Sequence, residues 1–169
     1  MPGTFAENVQ DAGMFYQWNR RIGWSSLDPL VNSDGGITWD SSTPTGTTWY
    51  AENDPCPDGW RVPTQAELQS LNNAGSTSII IQASFFGHVR GTSGRLYGTA
   101  PNQIVLPYTG WRHRNNGSGG ATFLQGNYWS STQNNITGTL AWLFSIDANN
   151  SRMINGNFAD GFSVRCVQE

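Results

Sequence analysis

Leu140-Ala141-Trp142-Leu143-Phe144-Ser145-Ile146-Asp147 alternates with the two-residue period of a strand. Trp142, Phe144 and Ile146 fall on one side and suit a core, while Leu143, Ser145 and Asp147 fall on the other and are expected to face out. Working outward, Trp129-Ser130-Ser131-Thr132 lies upstream and Gly161-Phe162-Ser163-Val164-Arg165-Cys166-Val167 downstream, with Phe162 to Val167 read as the closing strand. These blocks make an apolar frame, predicting that Trp129, Trp142, Phe144, Phe162 and Val164 are buried together with Trp60. Between them lie Asn134-Asn135, Asn149-Asn150, Asn155 and Asn157, mixed with side chains as unlike as Leu143, Asp147, Arg152, Ile154 and Phe158. Catalysis needs a few groups in fixed geometry, whereas a framed surface of mixed side chains suits recognition.

The rest of the chain fits a single domain spanning 1–169. At 169 residues it is long enough to bury a core. All nine cations are Arg, set against twelve acids for a net charge of −3, so a phosphate-tracking nucleic-acid protein is not expected. Twenty glycines, abundant Asn, Ser and Thr, and eight tryptophans favour short strands, turns and long loops. No run of eighteen apolar residues occurs, so membrane insertion is not expected. Met1-Pro2-Gly3 runs straight into Thr4-Phe5-Ala6-Glu7 without a basic n-region or apolar h-region. Either the protein acts without secretion, as a phage structural protein would, or a leader has been removed.

Met14 to Trp18 reads as an early strand, and Arg20 to Tyr50 as a turn-rich stretch pinned to the body by Trp24, Trp39 and Trp49. One helix is well signalled: Thr64 and Glu67 form a T-x-x-E capping box after Trp60-Arg61-Val62-Pro63, Leu68 and Leu71 share a face, and Asn73-Ala74-Gly75 ends it. Ser78 to Phe86 is a strand or a short buried segment, since its apolar run has no deciding period. Gly94 to Gly98 and Gln103 to Pro107 read as strands, and Asn115 to Gly120 as an exposed loop. The fold class is therefore α+β, one or two short helices followed by short, mostly antiparallel strands and long loops. Cys56 and Cys166 lie 110 residues apart without a CxxC or metal-ligand pattern, so a structural pair is expected, bridged or packed as thiols.

Three strings carry a resemblance: Cys56-Pro57-Asp58-Gly59-Trp60-Arg61-Val62-Pro63-Thr64 with Glu67-Leu68, Tyr128-Trp129-Ser130-Ser131-Thr132, and Gly161 to Val167. Together they resemble the Fibrobacter succinogenes major paralogous domain, from about Gly3 to Val167. That resemblance implies a C-type lectin-like fold with the Cys56 helix region against the Cys166 strand. The segment at about 108–160 also resembles the variable proteins of diversity-generating retroelements in gut bacteria and their phages. There, adenine mutagenesis turns Asn codons into nearly any residue. The slots such proteins vary hold Leu143, Ser145, Asp147, Arg152, Ile154 and Phe158 here, beside surviving asparagines.

The expected site is thus a ligand-binding face. Exposed Leu143, Ile154 and Phe158 supply an apolar hot spot, and Arg112, His113 and Arg114, on a loop after Trp111, supply cationic and stacking contacts. Ser145, Asp147, Arg152 and Asp160 complete it. The competing reading puts Ile154 and Phe158 in the core and makes the Arg-His-Arg triplet a solvated loop. Enzyme chemistry is not expected: His88 and His113 sit in no nucleophile motif, and the cysteines do not match those of formylglycine-generating relatives. Neither a metal nor another cofactor is expected, because Asp147 and Asp160 are too few carboxylates for the calcium of sugar-binding lectins. Metal-independent sugar binding, with Trp111 as a platform, is the alternative. The expected partner is a protein or glycan on a cell surface, with the domain displayed on a fibre or anchor of a phage virion or bacterial surface.

Overall fold

Thr64 starts the one α-helix among the described residues as expected, with both bonds of the capping box present. The computed structural model describes residues 1–8, 11–85, 88–120, 124–134 and 138–169, with the backbone alone at 81–92. Its strands are β1 (Met14–Tyr16), β2 (Gly23–Ser25), β3 (Trp60–Arg61), β4 (Ser76–Phe85), β5 (His88–Thr99), β6 (Asn102–Pro107), β7 (Trp111–Arg112), β8 (Gly119–Gly120), β9 (Gln125–Asn134), β10 (Leu140–Asp147), β11 (Ser151–Asn157) and β12 (Val167–Gln168). The helix α1 (Gln65–Asn73) follows β3, and a 3-10 turn occupies Ala51–Asn53. All strand pairs are antiparallel. The architecture is α+β, with two three-stranded sheets, β11-β10-β9 and β4-β5-β6, and three two-stranded ones among the described residues.

The ambiguous run after the helix is a strand, paired along its length with β5; Phe86 lies outside the described residues. The closing strand is shorter than expected. Phe162 and Ser163 make single bridges to Tyr16 and Tyr128, and regular pairing begins only at Val167, against β3. Glycine turns do not leave 115–120 wholly exposed either: β8 pairs with β7, and Gly117 packs so closely on Trp39 that a Cβ there would lie 2.7 Å from its ring.

The sheet β11-β10-β9 is buried on both faces. On one face Tyr128, Phe144 and Ile146 pack with Tyr97, Leu106 and Leu68 of α1, and Met153 joins from the edge. On the other, Trp129, Ala141 and Leu143 pack with Tyr16, Trp18, Trp49, Val62, Phe158 and Phe162. Apolar packing on both sides gives the sheet a fixed shape on which surface side chains are held in place.

Each residue of the Trp129-Ser130-Ser131-Thr132 block makes a separate tie across this core. Trp129 Nε1 donates to Tyr16 O at 2.7 Å, and Ser130 Oγ donates to Trp142 O at 2.8 Å. Ser131 N donates to Pro63 O at 2.8 Å, and Gln65 N donates to Thr132 Oγ1 at 3.0 Å. The upstream Trp60-Arg61-Val62-Pro63-Thr64 block is locked comparably. Arg61 binds Glu67 through two bonds of 2.9 and 2.7 Å, and that same carboxylate accepts from Thr64 N. The Arg61 guanidinium is the chief reason Glu67's pKa falls from 4.5 to about 2. Cys56 and Cys166 form a disulfide with α-carbons 5.9 Å apart, joining the segment before the helix to the end of the chain. Trp24, Trp39 and Trp49 are buried and anchor the turn-rich stretch, as expected.

Three frame residues depart from expectation, and one of them, Val164, is half-buried against the edge of the core. Trp142 is only half-buried, because the β9–β10 register shifts between Ala141 and Leu143 and leaves it beside exposed Asn155 rather than in either cluster. Trp60 is 36% exposed, held edge-on against Phe5 at 5.0 Å. Strand β3 pairs with β12 over two residues, and Trp60 stands in neither core cluster.

Candidate functional site

Strand alternation placed Leu143, Ser145 and Asp147 together, and the structure keeps that grouping but covers most of the face. Leu143 is 1% exposed, seated opposite Trp129 and Ile154. Alternation separates two sides of a strand without saying whether one of them meets water. Ser145 is buried too, between its cross-strand partners Asn127 and Arg152. Phe158 is fully buried, its ring stacked on Trp18 at 4.1 Å. Leu143 and Phe158 are therefore core, not hot spot.

Arg112 is also corrected. It is 1% exposed, on β7 rather than a loop, and its guanidinium donates to Ser25 O, Gly117 O, Gly119 O and the Asp28 carboxylate at 2.9–3.0 Å. This side chain fastens the 25–28 turn to the 117–119 turn. Asp160 is buried as well, accepting from Arg114 N at 2.9 Å, with the Arg114 guanidinium 4.0 Å away. Burial raises its pKa, against the opposing pull of these Arg114 contacts. It holds the backbone at Arg114 in place rather than meeting a ligand.

What remains at the surface is smaller and coherent. Ile154 and Trp111 are both half-buried against the cluster containing Leu143 and Phe162. Trp111 lies 6.2 Å from the Phe162 ring, and Phe162 reaches so near β11 that a Cβ on Gly156 would stand 2.6 Å from it. Trp111 and Ile154 thus pack against the same core cluster. His113, half-buried, lies 5.7 Å from Trp111, and exposed Arg114 follows. On β11, exposed Arg152 lies two residues from Ile154 and so projects from the same side.

Asp147 borders this face at the β10–β11 turn. Its Oδ1 accepts from Asn149 N and Asn150 N, each at 2.8 Å. Those two amide bonds lower its pKa, and nearby Arg152 acts in the same direction. The carboxylate shapes the turn, leaving Arg114 and Arg152 as exposed cations on a chain of net charge −3. Trp111 was legible only as a sugar platform. Its packing against the core cluster, beside the buried Arg112, is the tertiary fact that fixes its position.

A family model described as the Fibrobacter succinogenes major domain matches residues 4–168. No curated protein and no solved structure matches the chain.

Proposed function

The chain belongs to the Fibrobacter succinogenes major domain family, and on that premise we propose that it is a non-catalytic recognition module binding a macromolecular target, protein or glycan, on a cell surface. The observation that carries this reading is the seating of Trp111 and Ile154, half-buried over one rigid core and bordered by His113, Arg114 and Arg152. Ordered apolar anchors with Arg at their edge are the side chains that dominate binding energy at interfaces. The disulfide between the helix-leading segment and the chain end supports a C-type lectin-like scaffold beneath that face.

Diversification by a retroelement is part of the proposal, on a narrower set of positions. Arg152 and Asn155 are exposed, so substitution there leaves the core intact, and Ile154 stands half-buried at the core's edge. Display at a phage tail tip or on a bacterial surface follows from that reading. A neighbouring reverse-transcriptase gene and a near-repeat of this coding segment, differing at adenines, are the expected genomic signs. Their absence removes the retroelement from the reading.

The binding test uses fluorescently labelled domain on a panel of bacterial cells and on a glycan array. Trp111→Ala and Arg152→Ala are each expected to weaken binding roughly thirtyfold, the equivalent of about 2 kcal/mol. Native domain that labels nothing, or variants that bind like the native domain, overturns the assignment.

A further inference from the structure

Residues of the N-terminal segment and of the Ser163–Cys166 stretch together line a cavity of about 400 Å³. That is within the size range of small-molecule sites. Two residues lining it, Thr109 and Ser163, are 2% and 3% exposed, and their hydroxyl oxygens have no hydrogen-bond partner. The nearby Tyr128 hydroxyl donates to Pro107 O. Thr109 stands close enough to influence Tyr128's acidity, yet no hydrogen bond of normal geometry joins them. Buried hydroxyls are nearly always paired, so two unpaired ones at one cavity are unusual.

The lining also has a consistent polarity. Tyr16 keeps its proton, burial having pushed its pKa up to about 12. Thr109, Ser163, Tyr16 and Tyr128 therefore offer neutral groups only. At the side stands the partly open ring of Trp60, braced by Phe5, and exposed Glu7, Asp11 and Arg165 line the mouth.

We propose that this cavity binds a neutral saccharide residue, with a C–H face of the ring against Trp60 and hydroxyls toward Ser163 and Thr109. A charged ligand would lose its hydration with no buried counter-charge in reach. A wholly apolar ligand would leave both hydroxyls unpaired. A sugar ring combines an apolar face with a hydroxyl-bearing edge, and the carboxylates and guanidinium at the mouth accept from and donate to such hydroxyls. Trp111, His113, Arg114, Arg152 and Ile154 do not line the cavity, so this site goes beyond the face proposed above and is tested separately from it.

The probes are the methyl glycosides of glucose, galactose, mannose and N-acetylglucosamine, screened by saturation-transfer NMR and titrated by calorimetry. Trp60→Ala and Ala12→Trp, the second filling the cavity, are each expected to weaken binding at least about tenfold, and Ser163→Ala about fivefold. Trp111→Ala is expected to leave it unchanged. Three results overturn the proposal: no glycoside bound at millimolar concentration, binding insensitive to Trp60→Ala and Ala12→Trp, or binding lost in Trp111→Ala. An uncharged dipeptide amide that binds where the glycosides do not also overturns it, and assigns the cavity to peptide. Since Trp60 is partly open at the rim, Trp60→Ala is expected to fold, which its melting transition checks.

Discussion

Leu143→Ala separates a core position from a surface one on a single strand face. Leu143 is 1% exposed and packs with Trp129, Phe158 and Phe162. Truncating such a leucine costs about 2.7–5.0 kcal/mol, more where the void cannot collapse. Diagonally across on β11 stands Gly156, which has no side chain to move into the space. A Cβ there would already lie 2.5 Å from Leu143 Cδ2 and 2.6 Å from Phe162 Cε2. The void therefore persists, and the cost belongs in the upper half of the range, about 4 kcal/mol. In a chain of this size that lowers Tm by roughly 8–16 °C. Arg152→Ala, one cross-strand pair along on the same face, is expected to change stability by less than about 0.5 kcal/mol, or roughly 2 °C. Differential scanning calorimetry on both variants makes the comparison. A Leu143→Ala shift below about 3 °C would mean that this side chain is in water and that the two-sided core is wrong. Gly156→Ala sharpens the test. It destabilises the native background but costs less beside Leu143→Ala, with a coupling of at least about 0.5 kcal/mol. Strict additivity would show that the two positions do not touch.

Arg112→Met removes the donor to three carbonyls, whereas exposed Asp28 regains water, so it is expected to cost about 1–3 kcal/mol in urea unfolding, while a solvated loop residue would cost almost nothing. Glu67, with a folded pKa of about 2 against an ordinary 4.5, contributes stability that is fully present above pH 4.5 and lost as pH falls toward 2. Thermal melts across that window are expected to show a shallower decline for Glu67→Gln, and parallel pH profiles would contradict the Arg61 pairing. Reducing Cys56–Cys166 releases a 110-residue separation and is expected to cost about 4–5 kcal/mol in guanidinium titrations with and without reductant. A loss under about 1 kcal/mol would show that the bridge constrains little of the unfolded chain.

The helix, the position of its cap, the strand character of β10 and the cysteine pairing partners were readable because each is encoded locally, by a capping box, a two-residue period or a cysteine count of two. Family membership was readable for a related reason. The Trp-Ser-Ser-Thr and Trp-Arg-Val-Pro-Thr blocks meet through Ser131 N on Pro63 O, while Trp129, Ser130 and Thr132 each make a further tie and Arg61 and Thr64 are both held by Glu67. The sides of β10 were also correct as a grouping. Whether a given side met water was not encoded in the strand, because that depends on what the rest of the chain lays over it. Phe158 and Phe162, contributed from beyond β11, cover Leu143, and a register shift against β9 leaves Trp142 half-open. Arg112 looked like surface because arginine usually is. Only the approach of three carbonyls and Asp28, up to 87 residues distant in the chain, gave its guanidinium enough partners to be buried. Periodicity and capping are set by residues a few positions apart, but burial is set by neighbours the chain brings in from far away, and that much only the tertiary structure decided.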